Sequence, residues 1–128
     1  MTEKKIDVIG SDDRSMTNPE DGLRRQVMSY SPSMMLVRHR MLKGWVGARH
    51  SHPHEQGGIV LQGKIELTIG DDARIVGPGS LYIVPRNTPH RAASVDGPAV
   101  VLDVFSPVRE DYAEKFNKYI HPESKDRN

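Results

Sequence analysis

The sequence predicts an all-β domain, a sandwich or barrel, with one short helix at its C-terminal end. Three observations carry this. From Leu23 onward, short runs rich in Val, Ile and Leu are each ended by Gly, Pro, Asn or Asp, the pattern of a chain that turns back every few residues. Ile65, Leu67 and Ile69 alternate with Glu66 and Thr68, so that segment has one apolar and one wet face. Val108, Tyr112, Phe116 and Tyr119/Ile120 instead recur at helical spacing.

Residues 1–20 are polar and interrupted by Gly10-Ser11-Asp12-Asp13 and Asn18-Pro19, which predicts an arm or mobile tail. A packed or exchanged strand at 6–9 is the alternative. Strands are then expected at 26–30, 34–42, 45–49, 58–61, 64–69, 74–76, 81–84, 90–95 and 99–105. The turns between them include Leu61-Gln62-Gly63-Lys64, Gly70-Asp71-Asp72, Gly77-Pro78-Gly79, Pro85-Arg86-Asn87 and Asp96-Gly97-Pro98. Ser106-Pro107 offers a helix cap followed by Pro at the first helical position, giving a helix over 107–120. The expected organisation is an arm (1–20), one barrel domain with its helix (21–120) and a polar tail (121–128).

A chain of 128 residues can bury a core without disulfides. Its net charge of +1 lacks the basic excess of a nucleic-acid binder. No apolar run approaches the roughly 20 residues of a membrane span, and Met1-Thr2-Glu3-Lys4-Lys5 is not followed by the apolar stretch of a signal peptide. With no cysteine, disulfides, thiolate metal sites and Cys nucleophiles are excluded, which agrees with a reducing cytoplasm.

Three of the six histidines, His50, His52 and His54, fall within five residues. In an extended segment, residues two apart share a face, so His50 and His52 point the same way, together with Val46 and Ala48. Two adjacent imidazoles make a bidentate metal site. The amide oxygen of Gln56, beyond Pro53, is in reach of the same point, and His90 opens a later strand. His54 is expected on the other side of the loop. His39 shares a face with Val37 and Met41 and reads as a pocket or core histidine, while His121 belongs to the tail. Trp45, opposite Val46, is expected on the barrel exterior, and Met34, Met35 and Met41 as core filler. Arg38, Arg40 and Arg91 are expected to face away from the pocket.

The run 99–105 is apolar except for Asp103. Alternation puts Val101, Asp103 and Phe105 on one face. A carboxylate there is costly unless paired or used, so Asp103 is either an acid/base group or half of an ion pair with an Arg. Arg109, in the first turn of the expected helix, opposes the helix dipole. It is either held there to meet an anion, Asp103 or a substrate carboxylate, or solvated on the surface.

Two longer patterns tie these residues together. The first is Gly44, five residues, His50, one, His52, three, Gln56, six, Gly63; the second is Gly79, five, Pro85, one, Asn87, two, His90. They resemble the two signature motifs of the cupin superfamily, over residues 34–106. The resemblance implies a double-stranded β-helix, the jelly-roll barrel, with a metal held by His50, His52, Gln56 and His90. Gln56 stands where most cupins have Glu, and Asn87 where they usually have Gly; Asn tolerates the left-handed conformation. The Gln makes the donor set neutral and leaves the charge of a divalent ion uncompensated. That favours Lewis-acid chemistry on an anionic substrate over oxygen chemistry. Ni, Zn, Mn, Fe and Co all suit such mixed N/O ligation.

The segments His50-Ser51-His52-Pro53-His54-Glu55-Gln56 and Asp103-Val104-Phe105-Ser106-Pro107-Val108-Arg109-Glu110-Asp111 are similar to those of the small cupins of pectin degradation that act on unsaturated uronates. That resemblance implies that Asp103, Phe105 and Arg109 line an active site. The activity it implies is conversion of 4,5-unsaturated monouronates, from pectin or alginate, to linear keto acids. A metal-dependent cupin dioxygenase and a non-catalytic sugar-binding cupin are the alternatives. The expected partners are a small unsaturated sugar acid and a second copy of the chain in a homodimer.

Overall fold

A computed structural model describes residues 16–114. It contains β1 (Thr17–Glu20), β2 (Leu23–Ser31), β3 (Met34–Met41), β4 (Glu55–Ile69), β5 (Asp72–Val76), β6 (Leu81–Val84) and β7 (His90–Ser106), then a short helix, α1 (110–114). The strands run in the order β1-β2-β3-β7-β4-β5, and β6 pairs with β4 off this path. All pairings are antiparallel. This is the jelly-roll architecture expected from the sequence. Among the described residues no helix is long and apolar enough to cross a membrane.

Two expected turns are bends instead. The runs 58–61 and 64–69 form one strand, β4, and the runs 90–95 and 99–105 form another, β7. The two strands pair from Glu55↔Ser106 to Ile69↔His90, with register shifts between Val60 and Lys64. Gly63 has φ +73, and a Cβ there would lie 2.2 Å from the Pro98 carbonyl oxygen. Glycine thus supplies both the left-handed backbone and the close approach. Such irregularities bend paired strands together without ending them, and they use the same residue types as a chain reversal.

The expected arm also ends earlier than residue 20: Thr17–Glu20 forms β1 against β2. The expected strand at 45–49 is not one. Its backbone pairs through isolated bridges near its two ends, Val46↔Ala93 and His50↔His90.

The core has two parts. One gathers Leu23, Met41, Val60, Ile65, Leu67 and Val101; the other gathers Val27, Met35, Val37, Phe105, Tyr112 and Ala113. Met35 and Met41 are buried as expected, but Met34 is exposed. Along β7 the predicted alternation holds: Val101, Asp103 and Phe105 are all buried on the inner face.

The helix begins three residues later than Pro107. Ser106 is still paired to Glu55, and the Val108 N–H donates to the Pro32 carbonyl at 3.2 Å. The Arg109 carbonyl accepts the first bonds of α1, from the N–H groups of Tyr112 at 3.1 Å and Ala113 at 3.0 Å. Arg109 is therefore the N-cap, and Glu110 and Asp111 supply first-turn carboxylates that suit the helix dipole. The rest of the expected helix (115–120), the tail with His121 and residues 1–15 lie outside the described residues.

Candidate metal centre

The loop before β4 is tied to the start of β7 by backbone bonds in both directions between His50 and His90, at 3.0 and 2.8 Å. The Asn87 N–H donates to the His52 carbonyl at 2.8 Å, and Asn87 has φ 58, the left-handed turn geometry that Asn accepts. These ties bring three imidazoles from distant positions together. The ring centroids of His50 and His90 are 4.4 Å apart, those of His52 and His90 4.8 Å, and those of His50 and His52 5.7 Å.

Each ring is oriented by a backbone carbonyl. Nδ1 of His50 faces Ala48 O at 3.0 Å, that of His52 faces His54 O at 3.0 Å, and that of His90 faces Thr88 O at 2.8 Å. A carbonyl only accepts, so each Nδ1 carries the hydrogen and each Nε2 presents a lone pair. The ligand atoms of the three residues lie within 4.8 Å of one another. His90 Nε2 is buried without a partner, and Gln56 Oε1 lies 3.2 Å from His52 Nε2. Four acceptors thus converge with no donor among them, an arrangement that calls for a cation. Burial pushes the pKa of both His52 and His90 down, with the charge of Arg109 adding to the effect, so both favour the neutral form that ligation requires. The residues fit a divalent transition metal held by nitrogen and oxygen. His54 stands edge-on to His52 at 5.4 Å, outside the group of three.

Asp103 is the hub beside this cluster. Its Oδ2 accepts from His39 Nδ1 at 2.9 Å; its Oδ1 accepts from the Tyr82 hydroxyl at 2.6 Å and from Gln56 Nε2 at 3.0 Å. Burial pushes its carboxyl up, but the hydrogen bonds and charge of its partners, His39 foremost, outweigh burial and hold it below the usual range. It is an ionised carboxylate at neutral pH. Its partners among the described residues are therefore His39, Tyr82 and Gln56, and none of them is the Arg considered from sequence. The arrangement also orients Gln56: the carboxylate takes the amide N–H, which turns the amide oxygen toward the histidines.

The Tyr82 ring reaches Asp103 by lying across Gly58, which pairs with both residues. A Cβ on Gly58 would lie 2.2 Å from Tyr82 Cζ. Gly58→Ala is expected to lose about 1–3 kcal/mol of stability in urea denaturation, as the ring is driven off the carboxylate.

A cavity of about 380 Å³ opens beside these groups, in the range of small-molecule sites. Phe105 is buried at its wall, edge-on to His52 at 5.7 Å and to Tyr112 at 5.6 Å. Arg109 lies 5.3 Å from the Phe105 ring centroid. Its Nε and Nη2 grip Asp111 at 3.3 and 3.0 Å, and its Nη1 donates to the Tyr112 hydroxyl at 2.9 Å. Its anion is thus neither Asp103 nor empty solvent.

Trp45 also lines the cavity and packs on the core, whereas Val46 is exposed, the reverse of the expectation. Gly44 has φ +84 and breaks the alternation. Gly47 leaves room for the indole, because a Cβ there would sit 2.7 Å from Trp45 Cη2.

Arg25 and Tyr82 line the cavity and escaped the sequence reading, and Arg91, expected to face away from the pocket, lines it too, because the turn before β7 brings the start of that strand to the cavity rim. Arg25 carried a signal: it stands between Leu23 and Val27, both buried, as a charge on an inward face. Tyr82, between Leu81 and Ile83 in a short run, carried none.

The cupin domain family model matches residues 37–105. Pectin degradation protein KdgF of Dickeya dadantii is 33% identical over 93 residues, spanning 72% of this chain and 84% of that protein. The structure of KdgF from Halomonas sp. superposes with a TM-score of 0.78 at 31% identity, covering 81% of this chain and 97% of that one. An RmlC-like cupin from Shewanella frigidimarina gives 0.77 at 26%, covering 80% and 92%. With the predicted motifs, the jelly roll and these relatives in agreement, the chain belongs to the cupin family, among the small cupins that include KdgF.

Proposed function

We propose that the protein is a non-redox, metal-dependent isomerase that converts 4,5-unsaturated monouronates to linear keto acids. The observation that carries this is the neutral donor set of His50, His52, His90 and Gln56 opening on a cavity lined by guanidinium groups. It suits a substrate that brings its own negative charge, and the relatives named for pectin degradation point to the same class. A divalent transition metal held by these four residues would act as a Lewis acid on substrate oxygen.

The reaction is an internal rearrangement. The anomeric hydroxyl loses its proton, the C1–O5 bond breaks to leave an aldehyde at C1 and an enolate at C5, and the enolate takes a proton at C4 to become the C5 ketone. In this reading Asp103 is the proton carrier. It takes the anomeric proton as a carboxylate and, once protonated, is acidic enough to deliver it to carbon. His39 and Tyr82 hold that carboxylate in place, Phe105 forms the apolar wall beside the sugar ring, and Arg109 adds positive charge at the rim.

The test is to add unsaturated galacturonate monomer to metal-loaded protein and follow the loss of ultraviolet absorbance of the conjugated alkene. Acceleration without oxygen uptake is expected. A rate equal to buffer overturns the substrate assignment, and stoichiometric oxygen uptake would point to a dioxygenase.

The reading includes a homodimer in the cytoplasm, in keeping with the cysteine-free sequence. Leu81 and Ile83 of β6 are 76% and 60% exposed and adjoin Ile59, Leu102 and Val104 in one apolar patch, the kind of surface that pairing covers. Sedimentation is expected to give a dimer for the protein and a monomer for Ile83→Lys; a monomeric parent protein removes the proposal.

A further inference from the structure

Three arginines line the cavity, Arg25, Arg91 and Arg109, and they differ in what already holds them. Every nitrogen of Arg109 has an acceptor within the chain, Asp111 or Tyr112. Arg91 is exposed at the rim, with no side-chain hydrogen bond or ion pair among the described residues. Arg25 is half-buried. Its Nε–H donates to His39 Nε2 at 3.0 Å, and its guanidinium lies 3.9 Å from the Tyr112 ring centroid. Its terminal nitrogens make no hydrogen bond, and no carboxylate lies within ion-pair distance, among the described residues. It is a cation placed by its neighbours and left with its donor fork free.

We propose that Arg25 binds the carboxylate of the acidic substrate, one of the tasks considered for Arg109 from the sequence. A planar guanidinium pinned through Nε and stacked on an aromatic ring has little freedom left to lose, and its two terminal nitrogens match the two oxygens of a carboxylate. The position is set by strand register: Arg25 stands directly opposite His39 on β3. The bond to His39 does a second thing. It makes His39 Nε2 the acceptor, so Nδ1 carries the hydrogen that Asp103 receives, and Asp103 in turn orients Gln56. One hydrogen-bonded path thus runs from the carboxylate anchor to the metal centre. Arg25 is a binding residue at one end of it and a positioning residue through it.

This inference rests on the reading of the cavity as a site for an acidic sugar, and the test separates the two. Saturated galacturonate and uncharged galactose are titrated by calorimetry into metal-loaded wild type, Arg25→Gln, Arg25→Lys and Arg91→Gln. The same proteins are assayed on unsaturated galacturonate, with metal content and thermal midpoint recorded. Arg25→Gln is expected to weaken galacturonate binding and raise KM by about 10- to 100-fold, the usual loss for a hydrogen bond to a charged group, with a smaller fall in kcat and no change for galactose. Arg25→Lys, which keeps the charge without the fork, is expected to fall between, and carries the test if the Gln variant loses metal or fold. Arg91→Gln is expected to lose less than Arg25→Gln, since its side chain is not held in one place. Unchanged galacturonate affinity and KM in the Arg25 variants, or a larger loss in Arg91→Gln than in Arg25→Gln, overturns the proposal even while turnover stands. Arg25-dependent binding of galacturonate without turnover sinks the uronate reaction and leaves the anchor. No binding and no turnover sinks both.

Discussion

His52→Ala is expected to empty the metal centre and abolish turnover. His52 is one of three imidazoles whose Nε2 atoms converge, and its ring touches both His90 and Phe105. A remnant of two imidazoles and a neutral amide has too few donors to hold a divalent ion. The Lewis acid supplies several kcal/mol of transition-state stabilisation, so its loss corresponds to about 10³-fold or more in rate. Elemental analysis should find metal in the parent protein and none in the variant. Thermal unfolding gives a separate reading: metal at a hundredfold over its Kd stabilises the folded state by about 2.7 kcal/mol, and His52→Ala should not respond. Wild-type metal content in the variant would remove His52 from the ligand set.

Asp103→Asn is expected to damage both fold and turnover. The amide is the right size, but it brings two hydrogens to a place where His39, Tyr82 and Gln56 already donate. Breaking such a buried charged network costs about 3–5 kcal/mol, readable as a fall in the urea midpoint. Turnover should drop by about 10²- to 10⁴-fold, the usual contribution of a positioned proton carrier. The stability loss should depend on pH. The native carboxyl titrates below the usual range because the hydrogen bonds from its partners overcome the effect of burial. Its contribution is therefore complete above about pH 5, where the unfolded carboxyl is ionised, and is lost as pH falls through the lower native value. The gap between wild type and Asp103→Asn should be widest near neutrality and narrow in acid. A variant that retains full turnover with metal bound would make Asp103 purely structural.

Much of the site was legible in the chain because it depends on local geometry. Nearness in sequence keeps the His50 and His52 rings 5.7 Å apart even though their segment is not a strand, and alternation along β7 aligns Val101, Asp103 and Phe105 whatever the strands pair with. The turn at Asn87 is a property of Asn. Other features depend on pairing between distant strands. Tyr82 meets Asp103 because Gly58 of β4 stands opposite both, Tyr82 on β6 and Asp103 on β7. Arg25 meets His39 because β2 and β3 share that register. Gly63 and Asp96-Gly97-Pro98 read as chain reversals in sequence, since a bend in two paired strands and a turn that ends them use the same residues.

The sequence by itself pointed to an all-β chain and to His50 and His52 as neighbouring candidate ligands, through spacing and side-chain chemistry, and its resemblance to cupins added Gln56 and His90 in a neutral N/O shell. Only the tertiary structure decided what surrounds that shell. It put Trp45 inward where glycines break the alternation, tied Arg109 to Asp111 and left the fork of Arg25 free, because which charge finds a partner depends on the elements that fold against it.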